Sequence, residues 1–306
     1  MPRRLVPIRI SIASLAVLAA CAQPSRGPTG PAPVGPTPAG PRPTAAGHPG
    51  FDTGVYPGDA VMRTWRGASP YEWVGYYLPA PCHRDVSWAG KRSALIEMGW
   101  GTAAIYVGQQ DWGQMPDRLA PQQPAVDSAA AARNPPATPQ PPQTSVQAAA
   151  PACSASNLVG GRGTTDADDA IARAAAEGFP AGSVVYLDVE RVQAVSMPLV
   201  NYVREWAGRM LAEGRYLPGI YCHRLNAPAL VDALRAGWVG AGRSEAPPVW
   251  VTSTDPAFSL DQAPRASGVD GATVWQGRLD VTESWGGASL RVDQNVSATR
   301  SPSSPR

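Results

Sequence analysis

Two acidic residues at the end of an apolar run are the first feature of this sequence that could do chemistry. Residues 184–189 read Val-Val-Tyr-Leu-Asp-Val and Glu190 follows, which predicts a buried strand with Asp188 and Glu190 at its carboxyl end. Side chains two apart on a strand project from the same face, about 7 Å apart along it. Burial and a neighbouring carboxyl group both raise a carboxyl pKa, which keeps a Glu protonated as a general acid near neutral pH. The alternative is that both acids are solvated, as charged residues usually are.

Seven other segments are strand candidates, and they indicate the fold that positions these acids. The eight candidates are 50–55, 73–78, 102–107, 184–190, 217–222, 249–253, 272–276 and 290–296. Helices are predicted between several of them, at 88–98, 165–177, 197–213 and 228–238. This alternation over about 250 residues predicts a single-domain α/β fold, a (β/α)8 TIM barrel with irregular or missing last helices. A doubly wound open sheet is the alternative, but it usually has a Gly-rich phosphate loop after its first strand, which this sequence lacks.

Acids from distant parts of the sequence would meet at the mouth of such a barrel. Strands 1 and 8 are neighbours in a closed barrel and strand 4 lies across it, so their acids face one cavity. The predicted catalytic residues are Asp52, Asp188 and Glu190. Aromatic rings beside acids are typical of sugar sites, because a sugar ring stacks on an aromatic face. The predicted substrate-binding residues are Asp293, Tyr77, Tyr106, Tyr221, Trp250, Trp275 and Gln276.

The amino terminus has the composition of an export signal. Three arginines precede an apolar run over residues 10–20 that is too short to span a bilayer as a helix. Leu-Ala-Ala-Cys at 18–21 resembles a bacterial lipobox, which predicts removal of residues 1–20 and lipidation of Cys21; an ordinary secretory peptide is the alternative. We therefore expect an exported protein, lipid-anchored to the cell envelope. Because Ala22 stands where an Asp retains lipoproteins in the inner membrane, the outer membrane is the expected address in a Gram-negative host.

Three further segments have compositions that predict disorder. Residues 21–49 are rich in Pro, Gly, Ala and Thr and are predicted to be a tether behind the lipidated Cys. Residues 114–157 interrupt the barrel pattern with Pro, Gln and Ala, which predicts a disordered insertion. Residues 299–306 are predicted to be a disordered tail, so the barrel is expected to span residues 50–298.

Charge and cysteine usage narrow the classes of partner. Removal of residues 1–20 lowers the formal net charge from +2 to −1, and no basic stripe or nucleic-acid motif is present, so nucleic acid is not an expected partner. Disulfides persist in exported domains, and we predict a bridge between Cys82 and Cys153, which lie in Pro/Ala-rich loops, whereas Cys222 lies in a strand. Cys-His pairs occur at 82–83 and 222–223, but adjacent strand residues face opposite ways and no Cys-x-x-Cys is present. No metal and no cofactor are therefore expected.

Five short motifs occur in the order seen in family 25 glycoside hydrolases, the muramidase-type lysozymes. They are Gly-Phe-Asp at 50–52, Tyr-Leu-Asp-Val-Glu at 186–190, Gly-Ile-Tyr at 219–221, Val-Trp-Gln at 274–276 and Val-Asp-Gln-Asn at 292–295. The Gly-Phe-Asp opening and the Phe-Pro-Ala-Gly at 179–182 resemble more specifically the glycoside-hydrolase-like barrels of domain-of-unknown-function family 1906. The resemblance covers about residues 50–298, except the insertion.

This resemblance implies a role for each acid. Glu190 matches the Glu of the Asp-x-Glu motif and would protonate the leaving glycosidic oxygen. Asp188 would orient an N-acetyl group or stabilise oxocarbenium-like charge, and Asp52 would hold the opposite side of the cleft or position water. The implied partner is peptidoglycan or a related amino-sugar glycan of the envelope. The alternatives are a glycan-binding barrel that has lost catalysis, and a structural lipoprotein whose acids only stabilise the barrel.

Overall fold

Eight strands close into one barrel. The computed structural model describes residues 47–112 and 153–305, and in this part of the chain the strands are hydrogen-bonded in sequence order around a closed ring. They are β1 (His48–Asp52), β2 (Trp73–Tyr77), β3 (Gly101–Val107), β4 (Val184–Val189), β5 (Leu217–His223), β6 (Val249–Thr252), β7 (Ala272–Trp285) and β8 (Ala288–Ser297). The predicted TIM-barrel-like α/β fold is confirmed. The open-sheet alternative is wrong, because every strand has a neighbour on both sides.

In the described part of the chain, five helices cover the outside of the barrel. They are α1 (Asp59–Ala68), α2 (Arg92–Glu97), α3 (Arg162–Ala176), α4 (Met197–Glu213) and α5 (Ala227–Gly240), and short 3-10 turns lie at Ala155–Asn157 and Pro264–Ser267. The predicted bounds of α4 match the structure because its ends are marked in the sequence. The Ser196 side chain accepts a hydrogen bond from Leu199 N–H, and Gly214 ends the helix with a φ of 83°. Helix α1 was missed because Gly58 precedes it with no side-chain cap and only Met62 and Trp65 are buried.

The last two strands depart from a regular (β/α)8 plan. Strands β7 and β8 form a hairpin, so β8 runs antiparallel to both β7 and β1. The hairpin extends beyond the barrel and packs against α1, where Trp65 Nε1 donates to the carbonyl of Ala288 at 3.0 Å. It therefore replaces the last crossover helix, which a parallel β8 would require.

Large aromatic side chains fill the inside of the barrel below its mouth. The ring of Trp250 lies 5.5 Å from that of Trp73 and 5.6 Å from those of Tyr186 and Tyr221, all in edge-to-face arrangements. Such contacts add to the free energy of burying these rings. The barrel is therefore a packed core, and its functional side chains are confined to one end.

Several segments predicted to be disordered are ordered where the structure describes them. Residues 299–305 cross the amino-terminal end of the barrel, where Ser303 Oγ accepts from Ala104 N–H at 2.7 Å and donates to the carbonyl of Val184 at 2.6 Å. The prediction of a disordered tail is wrong for residues 299–305. These residues provide hydrogen-bond partners for backbone groups of β3 and β4 at this end of the barrel. Residues 48–49 belong to β1, and 153–157 are also ordered.

The remaining predictions about disorder and export concern residues that the structure does not describe. The signal peptide, Cys21, the tether up to residue 46 and residues 113–152 of the insertion lie outside the described residues. Within residues 47–112 and 153–305, no helix combines the length and the apolar character needed to cross a membrane.

Candidate active site

Four carboxyl groups meet at the mouth, at the carboxyl-terminal ends of the parallel strands. Asp52 ends β1 and pairs in register with Asp293 of β8, while Asp188 and Glu190 lie at the end of β4. Asp52 and Asp188 are 4% and 5% exposed, whereas Glu190 and Asp293 are half-buried. Gly75 of β2 makes room for Asp52, since a Cβ at this position would lie 2.5 Å from the Cβ of Asp52. The strand ends thus bring together the four acids selected from the sequence.

Asp52 is held by three hydrogen-bond donors. Tyr77 Oη donates to Oδ2 at 2.7 Å, and Gln276 Nε2 and Asn295 Nδ2 donate to Oδ1 at 2.9 and 2.7 Å. Burial raises the pKa of Asp52, and these three hydrogen bonds oppose the rise because they stabilise the ionised form. Of the four acids, Asp52 therefore accepts the most hydrogen bonds that stabilise an ionised carboxylate.

The two amides that hold Asp52 are themselves fixed by their remaining polar atoms. Gln276 Oε1 accepts from Tyr221 Oη at 2.8 Å, and its Nε2 also donates to Asp293 Oδ2 at 3.2 Å. Asn295 Oδ1 accepts from Trp250 Nε1 at 3.0 Å, and its Nδ2 also donates to the Asp293 carbonyl. A fully satisfied polar network of this kind is rigid. The orientation of both amides is thereby set, with their donors toward the acids.

Asp188 and Glu190 are held through their backbone instead. Gln110, fully buried in the segment that follows β3, donates from Nε2 to the Asp188 carbonyl at 2.8 Å and accepts from Glu190 N–H at Oε1 at 2.9 Å. The carboxyl Oδ1 of Asp188 is buried without a hydrogen-bond partner among the described residues. One amide therefore fixes the strand end, while the carboxyl groups stay available for other contacts.

The pKa values of the other three acids are raised as well. Burial, followed by the charge of Asp52, raises the pKa of Glu190 to about 7, while a hydrogen bond from Arg191 N–H opposes the rise. Burial and then Asp52 raise the pKa of Asp293 to about 8. Burial and then Glu190 raise the pKa of Asp188 well above its ordinary range. A Glu with a pKa near 7 holds a proton that it can donate at neutral pH.

The structure divides the predicted substrate-binding residues into three groups. Tyr77, Tyr221, Gln276 and Asp293 lie in the site and contact its acids, directly or through Gln276. Trp250 lies below the mouth, 1% exposed, where it orients Asn295 and offers no face to a sugar.

Tyr106 and Trp275 are on the outer face of the barrel wall, so their assignment to the site is not supported. Tyr106 Oη donates to Asp169 of α3 at 2.9 Å, and Trp275 Nε1 donates to the carbonyl of Ser253 at 2.8 Å with its ring against Phe258. Neighbouring strand residues face opposite sides, so Trp275 and Gln276 cannot both enter the mouth.

Two residues of the site were missed. Asn295 lies two positions after Asp293, and this spacing places both side chains on the same face of β8, which is a signal that could have identified it. Gln110 has no such signal. It belongs to no strand, and its partners Asp188 and Glu190 are 78 and 80 residues away in the sequence.

The cysteines are arranged as the sequence predicts. Cys82 and Cys153 form a disulfide with a Cα–Cα distance of 4.8 Å, which joins the loop after β2 to the ordered residues before α3. Cys222 is a buried free thiol whose pKa is raised to about 12, mainly by burial. Because Cys82 is oxidised, the Cys-His pair at 82–83 cannot supply a thiolate to a metal. Among the described residues, no group of three His, Cys, Asp or Glu side chains is arranged to hold a metal ion.

Comparisons with known proteins agree with the motif resemblance. The family model of the Rv2525c-like, glycoside hydrolase-like domain matches residues 63–297. No curated protein sequence matches the chain. Among solved structures, the chain is similar to an uncharacterized B. stearothermophilus protein, with 16% identity, a TM-score of 0.48, and coverage of 83% of this chain and 97% of that chain.

Two further solved structures are similar at comparable levels. The Clostridium perfringens spore cortex lytic enzyme SleM is 14% identical with a TM-score of 0.46, covering 83% of this chain and 68% of that one. The Mycobacterium tuberculosis Tat-secreted protein Rv2525c is 14% identical with a TM-score of 0.44, covering 84% and 97%. The more specific resemblance, to the glycoside-hydrolase-like barrels of family 1906, is confirmed by the family model. Since this model matches most of the barrel and more than half of the chain, the protein belongs to the Rv2525c-like, glycoside hydrolase-like domain family.

Proposed function

We propose that this protein is an exported glycoside hydrolase that cleaves the amino-sugar glycan of the bacterial envelope, peptidoglycan or a close relative. The observation that carries the proposal is Glu190, a half-buried carboxyl group with a pKa of about 7 at the mouth of the barrel. Asp52, whose carboxylate is stabilised by three hydrogen-bond donors, is at the same mouth. An acid that keeps its proton beside one that loses it is the pairing that glycoside hydrolysis requires.

The proposed reaction uses the two carboxyl groups in different states. Glu190 gives its proton to the glycosidic oxygen as the bond from that oxygen to the anomeric carbon breaks, and the bonding electrons leave with the oxygen. The positive charge that develops on the sugar ring is stabilised by the ionised carboxylate of Asp52. Water then adds to the anomeric carbon and returns a proton to Glu190. Asp188, with its unpartnered Oδ1, orients the acetamido group of the sugar.

Anchoring at the membrane is part of the proposal and rests on the amino-terminal sequence. The lipobox-like Leu-Ala-Ala-Cys at 18–21 would place acyl chains on Cys21, and residues 22–46 would tether the barrel to the membrane within reach of the cell wall. Fractionation of cells tests this part. The parent chain is expected in the membrane fraction and the Cys21→Ser variant outside it, and equal partitioning of both would remove the anchor from the proposal.

The decisive experiment measures muropeptide release from purified peptidoglycan by the full chain in detergent, compared with its Glu190→Gln variant. Glu97→Gln is the matched control, since Glu97 is an exposed residue of α2 far from the site. We expect release by the parent and the control, and a fall of at least about a hundredfold in Glu190→Gln. Absence of release by folded parent protein that still sediments with the glycan would contradict the hydrolase proposal and favour the glycan-binding barrel.

A further inference from the structure

Three arginines stand on the loops that follow β2, β4 and β5. Arg84, Arg191 and Arg224 are all exposed, and their guanidinium groups make no hydrogen bond or ion pair with any described residue. Strands β2 to β5 are consecutive around the barrel, so these loops occupy one continuous arc of the mouth. We call Arg84, Arg191 and Arg224 the basic rim.

Half of the arginines elsewhere in the described chain form ion pairs, whereas those of the basic rim form none. The arginines paired with a carboxylate are Arg162, Arg173, Arg209, Arg235, Arg243, Arg291 and Arg300. Arg278, on the opposite arc of the mouth, donates to the carbonyl of Phe258. Arg63, Arg204 and Arg265 are also exposed without such a bond to a described residue, but they lie on α1, on α4 and in the turn Pro264–Ser267, whereas the basic rim lies on loops beside the site.

The basic rim is next to the residues that carry the proposed chemistry. Arg191 directly follows Glu190, and Arg191 and Arg224 both approach His223, whose pKa is lowered by burial and then by these two cations. Arg84 follows His83, whose ring lies 4.7 Å from the ring of Tyr77, the donor to Asp52. The positive charge of the rim therefore comes from arginines and not from His223.

Neighbouring acids do not explain these arginines as counter-ions. Asp85, next to Arg84, accepts hydrogen bonds from the backbone N–H and the side chain of Ser87. The pKa of Glu190 is raised by burial and by Asp52 and is opposed by the backbone N–H of Arg191, with no contribution from a guanidinium group among the described residues. The guanidinium groups of the basic rim are therefore not used as counter-ions within the described chain and remain accessible to a ligand.

We propose that the basic rim binds acidic groups carried by the glycan, so that the substrate of this site is an anionic polymer. This inference rests on the proposed function, since it assigns a substrate class to the same mouth. The planar guanidinium fork matches carboxylate and phosphate groups with two parallel hydrogen bonds. In a cell wall, carboxylates come from the peptide stems and phosphates from polymers attached to the glycan. The rim distinguishes such strands from a neutral amino-sugar polymer.

The test measures binding and does not require turnover. The affinity of soluble glycan chains that bear peptide stems and phosphate is compared for Glu190→Gln protein and for Glu190→Gln protein that also carries Arg191→Gln and Arg224→Gln. The control carries Arg173→Gln and Arg235→Gln, which remove the same charge from α3 and α5, where each arginine pairs with an acid of its own helix. We expect binding to weaken roughly tenfold in the rim variant, about threefold for each arginine, and to change little in the control.

Two treated glycans identify the acidic group. Loss of the tenfold difference on glycan stripped of peptides by an amidase supports stem carboxylates, and its loss on glycan stripped of phosphate by hydrofluoric acid supports phosphate. A difference that persists on glycan lacking both groups, or no difference on the untreated chains, overturns the inference. Failure of the hydrolase proposal is a separate result, because there the parent releases no muropeptides whatever the arginines bind.

Discussion

Acidic residues on the two sides of the mouth differ in the number of hydrogen-bond donors that reach them. On the side of β1, β7 and β8, Asp52 accepts three hydrogen bonds, and the amides that donate two of them are fixed by Tyr221 and Trp250. On the side of β4, the Asp188 Oδ1 has no partner within the described chain, and Glu190 is held only through backbone N–H groups. One side is saturated with donors and the other is left open.

This difference separates the charge states of acids that share one cavity. Donors lower the free energy of an ionised carboxylate, whereas burial without donors favours the protonated form. Asp52 on the saturated side can therefore hold the negative charge, whereas Glu190 on the open side, and Asp293 beside Asp52, hold protons near neutral pH. The basic rim lies on the open side, so a ligand drawn to it would arrive beside Glu190.

Matched Asp→Asn substitutions on the two sides should give the largest contrast in stability. Asp52→Asn replaces one of the two acceptor oxygens of Asp52 with an NH2 that faces a donor, and we expect a loss of about 3 kcal/mol in the free energy of unfolding. Asp188→Asn removes a buried acid whose Oδ1 has no hydrogen-bond partner among residues 47–112 and 153–305, and it should leave stability unchanged or raise it. Urea unfolding of both variants near pH 7 measures the difference. Equal losses in the two variants would show that the sides do not differ as the hydrogen bonds indicate.

The pH dependence of stability should reveal the open side. The pKa of Glu190 is about 7 in the folded protein and ordinarily 4.5, so between these values the folded state holds a proton that the unfolded chain has released. Stability therefore falls as the pH rises through this window, by about 2 kcal/mol from Glu190 after allowance for its partial exposure. Thermal or urea unfolding between about pH 5 and about pH 8 measures the slope.

The Glu190→Gln variant is the control for this slope. It should be less pH-dependent than the parent and more stable than the parent at about pH 8. For the parent, kcat/KM should decline above about pH 7, because the general acid loses its proton. A slope identical in parent and variant would contradict the raised pKa of Glu190.

The smallest expected effect comes from Gln110, which positions the backbone of Asp188 and Glu190 on the open side. Gln110→Leu removes both hydrogen bonds to the backbone at Asp188 and Glu190, and we expect a fall of roughly tenfold in kcat with little change in KM and an altered alkaline limb of the pH profile. Gln193→Leu is the control, since Gln193 is exposed on the loop after β4. A variant that loses stability but keeps the kcat and the pH profile of the parent would show that Gln110 is only structural.

Local sequence patterns correctly predicted those helices and strands whose formation is decided by residues close together in the sequence. The apolar run before Asp188, and the Ser and Gly at the ends of α4, mark elements whose formation is decided within a few residues. Strand periodicity also contained information that was not used, since it separates Trp275 from Gln276 and joins Asn295 to Asp293.

By itself, the sequence determined which residue types stand at the strand ends, and hence that acids would surround the mouth of a barrel. Only the tertiary structure decided that β8 is antiparallel, that residues 299–305 cover the far end of the barrel, and that Gln276 bonds Asp52 across 224 residues of sequence. Those features depend on which backbone and side-chain groups meet after the chain has closed. The sequence shows which side chains can donate a hydrogen bond. The folded geometry decides which acceptor each donor reaches, and therefore the pKa of an acid that accepts it.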